Sequence, residues 1–173
     1  ALVDSERKYR LLAENVSDTI WVIDLATLAL DYISPSVEKH RGFTPGEAMA
    51  QSLEECVTPE SLTRVTRLLK KELANENVPG IDPHRSVTIE IEISLKSGGY
   101  SWAEATVSFV RDSDGTPTAL MGVTRDISDR KEAELTIKES EKKYRNLFEN
   151  GSDLLCVHDL DGRLLETNLS YKE

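Results

Sequence analysis

The sequence predicts an α+β domain built on one five-stranded antiparallel sheet, with short helices on one face and amphipathic helices on either flank. Three observations predict it. Near the middle, Val87, Ile89, Ile91, Ile93 and Leu95 alternate strictly with Thr88, Glu90, Glu92, Ser94 and Lys96, which is a strand with one buried and one wet face. The turn clusters KSGGY and DSDGTP then separate that strand from SWAEATVSFV and TALMGVTRDI, so three long strands follow as a meander. Two short β-rich runs, TIWVIDL and LALDYIS, precede them and are parted from the meander by short helical pieces.

In chain order, DSERKYRLLAEN from Asp4 to Asn15 has good helix formers, no Gly or Pro, and an apolar stripe at Leu2, Tyr9 and Leu12. The first two strands form a hairpin turning near Ala26 and Thr27, although these are not favoured hairpin residues. Pro45 and Pro59 sit at first-turn positions after Thr44 and Thr58, which the spacing makes N-caps. In the longest piece, Leu62, Val65, Leu69 and Leu73 fall on one face, expected to lie on the sheet. After the meander, Ser128 is an N-cap followed by Asp129, and a helix runs to about Asn150 with a heptad stripe at Ala133, Ile137, Ser140, Tyr144 and Leu147.

Composition narrows the function. The chain has 173 residues, 39% of them hydrophobic, enough to bury a core. No run approaches the roughly 18 apolar residues of a spanning helix, and the amino terminus lacks the build of a secretory signal. Neither membrane insertion nor export by this chain is expected, and the two cysteines, in unrelated contexts, suit a reducing cytoplasm. A net charge of −10 repels a phosphate backbone, and the densest basic run, Lys142, Lys143 and Arg145, is interleaved with Glu139, Glu141 and Glu149, so nucleic-acid binding is not expected.

The chain also repeats itself. Ser5–Leu25 and Ser140–Leu160 share 13 identities in 21 positions at a separation of 135 residues, a period suited to whole domains in tandem. The second copy has an Asp161-Gly162 turn that the first lacks. The expected division is a leading helix over residues 1–16, a complete domain over 17–128, a linking helix over 129–150 and the truncated start of a second domain over 151–173.

The element order, together with YISPSVEKHRGFTPGEAM, SGGYSW and GVTRDISDRK, resembles the PAS family across residues 5–130, and 140–173 resembles the opening of a second PAS domain. The stretch RDISDRK is similar to the family's Asp-Ile-Thr signature, with Ser128 in place of Thr. The resemblance implies a sensory module that passes signal through its flanking helices to a histidine kinase output, with a ligand-free dimerisation scaffold or a sensor ahead of a diguanylate cyclase as the alternatives, and with the relay placed at Asp126, Ile127, Ser128 and Arg130. Asp126 and Arg130 are four apart across the junction; their pairing would either report strain in the sheet or simply fix the helix.

Flavin-binding members carry a reactive cysteine in an NCRFLQ motif; here Leu53 stands in that place and Cys56 follows three residues later, so a flavin adduct is disfavoured. Haem-binding members ligate through a histidine on the long helix, and residues Ser61–Asn77 contain none. No cofactor is expected, although a small metabolite would fit between the sheet and the long helix, in a pocket of Leu62, Val65, Leu69, Ile89, Ile91, Ile93, Ala103 and Ala105. The same residues equally describe a filled core. His40, His84 and His158 share no ligand spacing, and Trp21 and Trp102 read as sheet packing. No nucleophile with a base, paired carboxylates or phosphate loop appears, so no enzymatic activity is expected of this chain. Expected partners are a second copy through the flanking helices, the adjacent PAS domain and the output domain.

Overall fold

The computed structural model describes residues 17–76, 78–151, 153 and 155–168. The leading helix expected before Ser17 lies outside the described residues. The remainder divides into two compact units, one ending at Ser128 and the other beginning at Asp129.

In the first unit, strands β1 (Thr19–Asp24) and β2 (Leu30–Ile33) are followed by helices α1 (Val37–Arg41), α2 (Pro45–Met49), α3 (Leu53–Cys56) and α4 (Pro59–Asn75). Strands β3 (Ser86–Ser94), β4 (Tyr100–Arg111) and β5 (Pro117–Asp126) complete an antiparallel sheet of order β2-β1-β5-β4-β3. The fold is the α+β class the alternation implied. The neighbouring strands β1 and β5 come from opposite ends of the unit, so their pairing closes the sheet across the whole intervening chain.

Local chemistry sets the helix starts. Thr44 and Thr58 are N-caps, each followed by Pro at the first helical position, and Thr44 forms a reciprocal capping box with Glu47. Ser52 forms the same box with Glu55 at the start of α3, a start that its S-x-x-E spacing also encodes. The opening of α4 then covers the exposed edge of β3. Val57 bridges to Ile93, Thr58 N–H donates to Glu92 O at 3.1 Å, and Glu92 N–H donates to Ser61 Oγ at 2.9 Å.

The far half of α4 departs from expectation. Leu62 and Val65 pack on the sheet, but Leu69 is half-exposed and Leu73 is 40% exposed. Ions hold this end instead. Buried Glu72 accepts from Arg85 at 2.7 Å, while Glu76 takes Arg85 at 2.8 Å and Arg111 at 2.7 Å. Both guanidinium groups lie over the Phe109 ring. Apolar periodicity could not report this, because the anchoring residues on the helix are carboxylates whose partners lie on β4 and before β3.

The second unit contains the rest of helix α5 (Ser128–Glu149) and a hairpin of β6 (Cys156–His158) and β7 (Leu164–Thr167). On α5, Ile137, Tyr144 and Leu147 are exposed, whereas Phe148 is buried and stacks on Tyr144 with 5.6 Å between ring centroids.

The two hairpins share their internal geometry. Trp21 faces Ile33, Val22 faces Tyr32 and Ile23 faces Leu30, with a bulge between Val22 and Ile23. Cys156 faces Thr167, Val157 faces Glu166 and His158 faces Leu164, with the bulge between Val157 and His158. Ser34 Oγ accepts from Ile20 N–H at 2.9 Å, and Ser36 Oγ donates to Asp18 O at 2.9 Å. In the second hairpin Asn168 performs both tasks with one amide, accepting from Leu155 N–H at 3.1 Å and donating to Asp153 O at 2.7 Å. Asp24 and Asp159 each fold a turn by accepting two backbone N–H groups.

Candidate functional site

The inner face of the sheet gathers most of the expected pocket residues. Ile91, Ile93, Ala103 and Ala105 are buried in one cluster with Val57, and Leu62, Val65, Ile89, Cys56 and Val107 pack against it. Leu69 lies outside that cluster. Val57, Cys56 and Val107 are members that sequence reasoning missed; the alternation on β4 could have supplied Val107, but Val57 enters only through its bridge to Ile93.

A second cluster, Ile33, Val37 and Ala48, is joined by Leu30, Phe43 and Trp21. Trp21 is opposite Gly122, which is opposite Val107, so the indole lies in the row that connects the two clusters. Its Nε1–H donates to Thr124 Oγ1 at 2.8 Å. A Cβ on Gly122 would come within 2.1 Å of the indole, so this close approach requires glycine.

The strand-to-helix junction brings together three of the four expected relay residues. Ile127 is buried and its N–H donates to Trp102 O at 3.0 Å. Asp126 Oδ1 accepts from Ser128 N–H at 2.8 Å, and the Ser128 and Ser101 hydroxyls are 2.8 Å apart. Ser128 is therefore not the cap expected from its spacing. It is the first helical residue, its own free N–H is satisfied by the Asp126 carboxylate, and its hydroxyl is engaged by Ser101. Arg130 forms an ion pair with Glu134 at 3.9 Å, one turn further along α5. Immediately before the junction, Arg125 grips Asp18 with a fork of contacts at 3.1, 3.1 and 2.8 Å, tying the last turn of β5 to the start of β1.

The carboxylates with resolved shifts are held below their ordinary range. Asp18 is lowered chiefly by the Arg125 hydrogen bond, and Glu47 is lowered to about 2 by Lys96 and the Thr44 backbone. Burial pushes Glu76 upward, but Arg111 and Arg85 outweigh it. These groups stay ionised and serve as braces. Among the described residues no group of three or more His, Cys, Asp or Glu is arranged to hold a metal, and no helix is long and apolar enough to cross a membrane. His40, expected at the surface or as a cap, is half-buried and its Nδ1 lies 2.9 Å from Thr19 Oγ1.

Fold and site together define a single-sheet α+β module whose last strand passes directly into a helix. The chain belongs to the PAS family: residues 30–124 match the family model described as PAS fold. Sporulation kinase E of Bacillus subtilis is 31% identical over 81 residues, which cover 47% of this chain and 10% of that protein. Among solved structures, a sensory box histidine kinase/response regulator from Burkholderia thailandensis matches with a TM-score of 0.61 and 24% identity, over 81% of this chain and 99% of that one. The N-terminal domain of a diguanylate cyclase with PAS/PAC sensor from Marinobacter aquaeolei matches with a TM-score of 0.53 and 27% identity, over 65% and 97%. The chain spans between 10% and 18% of the length of three curated relatives it matches.

Proposed function

We propose that this chain is a sensory relay module of a multi-domain signalling protein, carrying a change in its sheet through α5 to a histidine kinase output. The observation that carries the proposal is the junction: Ile127 alone separates β5 from α5, and Trp102, Ser101 and Asp126 all bind its backbone or that of Ser128 or the Ser128 hydroxyl. A shift of β4 relative to β5 therefore acts on the first turn of α5. Kinase relatives support the output class; the 27% identical cyclase domain supports a diguanylate cyclase as the second choice.

The matching hairpins support a second PAS domain beginning within the second unit, with α5 serving as the exit from one domain and the approach to the next. The exposed stripe of Ile137, Tyr144 and Leu147 supports pairing with a second copy through that helix. Trp21, packed on Gly122 across the inner face, supports sensing without a resident flavin or haem. The test is to place the chain ahead of a histidine kinase catalytic core and insert one to seven residues after Thr136. Autophosphorylation that rises and falls with heptad phase is expected; a rate indifferent to the insertions would overturn the relay. The absorption spectrum and native mass of the same preparation report any chromophore or metabolite.

A further inference from the structure

We propose that residues 1–16 dock as a helix across the outer face of their own sheet, with Tyr9 seated over Val22 and Tyr32. The starting point is an apolar face that belongs to neither core cluster. Trp21 and Gly122 face inward, so Ile20, Val22, Met121 and Val123 point to the opposite side of the sheet. There Val22 lies between Tyr32 and Met121, and Ile20 lies beside Val123. Val110 extends the patch on β4. Met121 is 42% exposed, and Tyr32 and Val110 are each 39% exposed. A contiguous apolar surface of this kind on a small domain calls for a partner.

The second unit names the occupant, because its own copy of the leading segment is described. In the repeat, Tyr144 stands in the place of Tyr9 and Val157 in the place of Val22. Glu166, opposite Val157, stands in the place of Tyr32, opposite Val22. Tyr144 reaches from α5 to its own hairpin, where its hydroxyl donates to Glu166 Oε2 at 3.5 Å, and it stacks on the buried Phe148. The helix ahead of that hairpin therefore folds back over the face that carries Val157 and Glu166. Residues 1–16 precede the first hairpin by the same distance and keep the tyrosine. With Tyr32 in place of Glu166, the contact in the first copy becomes ring on ring. Reach is sufficient: a helix over residues 1–16 is about 24 Å long, and five strands spaced about 4.8 Å apart span about 19 Å. Only Ser17 and Asp18 join the segment to β1, and the Arg125 fork fixes Asp18. The stripe of Leu2, Tyr9 and Leu12 is then spent on the chain's own sheet, which leaves pairing with a second copy to α5.

The test uses the whole chain carrying Cys56→Ser and Cys156→Ser with two new thiols, Tyr9→Cys and Tyr32→Cys, treated with a short bis-maleimide and read by denaturing gel and intact mass. A cross-link within one chain is expected, formed about tenfold faster than in a control pair of Arg7→Cys with Tyr32→Cys, because Arg7 is on the other side of the helix from Tyr9. Methionine oxidation gives a second readout without new thiols. Met49 and Met121 are each 42% exposed, yet hydrogen peroxide should oxidise Met121 about fivefold more slowly than Met49 in the parent, and at the Met49 rate in Tyr9→Asp. Melting curves establish that each variant is folded before its rate is compared. Cross-links between two chains would give the face to a second copy; that result, equal rates for the two thiol pairs, or a parent Met121 that oxidises as fast as Met49 overturns the proposal.

Discussion

Leu28 has a φ of 58°, a left-handed conformation that a branched side chain adopts at a cost of roughly 1–2 kcal/mol. The equivalent turn of the second hairpin has Gly162, at φ 80°, in that place. Leu28 is also 65% exposed and contributes little packing. Leu28→Gly should therefore raise the unfolding free energy by about 0.5–1 kcal/mol, the relief of strain exceeding the added flexibility of the unfolded chain. Urea denaturation measures it, and an unchanged or lower midpoint would show that the turn is not strained. Gly122 is the opposite case. Gly122→Ala drives a methyl into the Trp21 indole and should cost about 1–3 kcal/mol. The same substitution in a Trp21→Leu background should cost less; fully additive losses would mean the two residues do not meet.

At the scale of elements, caps were legible and anchors were not. Thr44 and Thr58 could be read because a cap and its Pro are sequence neighbours. The ties that fix each helix on the sheet join residues far apart in sequence, as Glu47 and Lys96 show for α2 and the β3–β4 turn. That pair predicts a pH dependence. Glu47 titrates at about 2 in the folded protein against an ordinary 4.5, so its contribution is fully present above pH 4.5 and is lost as pH falls towards 2. Melting temperatures measured from pH 7 to pH 2 should fall less steeply for Glu47→Gln than for the parent, and parallel curves would refute the assignment. The candidate site was legible to a similar extent: Ile91, Ile93, Ala103 and Ala105 follow from alternation, but Leu69 drifts off the cluster because ion pairs, not apolar packing, seat the last turns of α4. Ser128 was misjudged as a cap because Asp126, two residues earlier, takes its N–H, and because its hydroxyl partner, Ser101, is brought to it only by the pairing of β4 with β5.

For the molecule as a whole, the exposed stripe on α5 makes self-association the property to measure. Wild-type protein should sediment as a dimer at high concentration, and Ile137→Asp should shift it to monomer, since a carboxylate cannot be buried unpaired in a helix seam. A wild-type chain that stays monomeric throughout would remove this mode of pairing. By itself the sequence determined the strands of the sheet, the Thr44 and Thr58 caps, the fold class and the repeat, because alternation, capping and duplication are written between near neighbours or in copied text. Only the tertiary structure decided that β1 lies between β2 and β5, that Trp21 rests on Gly122, and that the buried Arg41 finds neutral partners in Ser94, Gln51 and Cys56 among the described residues. Those outcomes depend on which distant residues share a desolvated space, and whether a charge or a ring is matched there is settled only when the chain has closed around it.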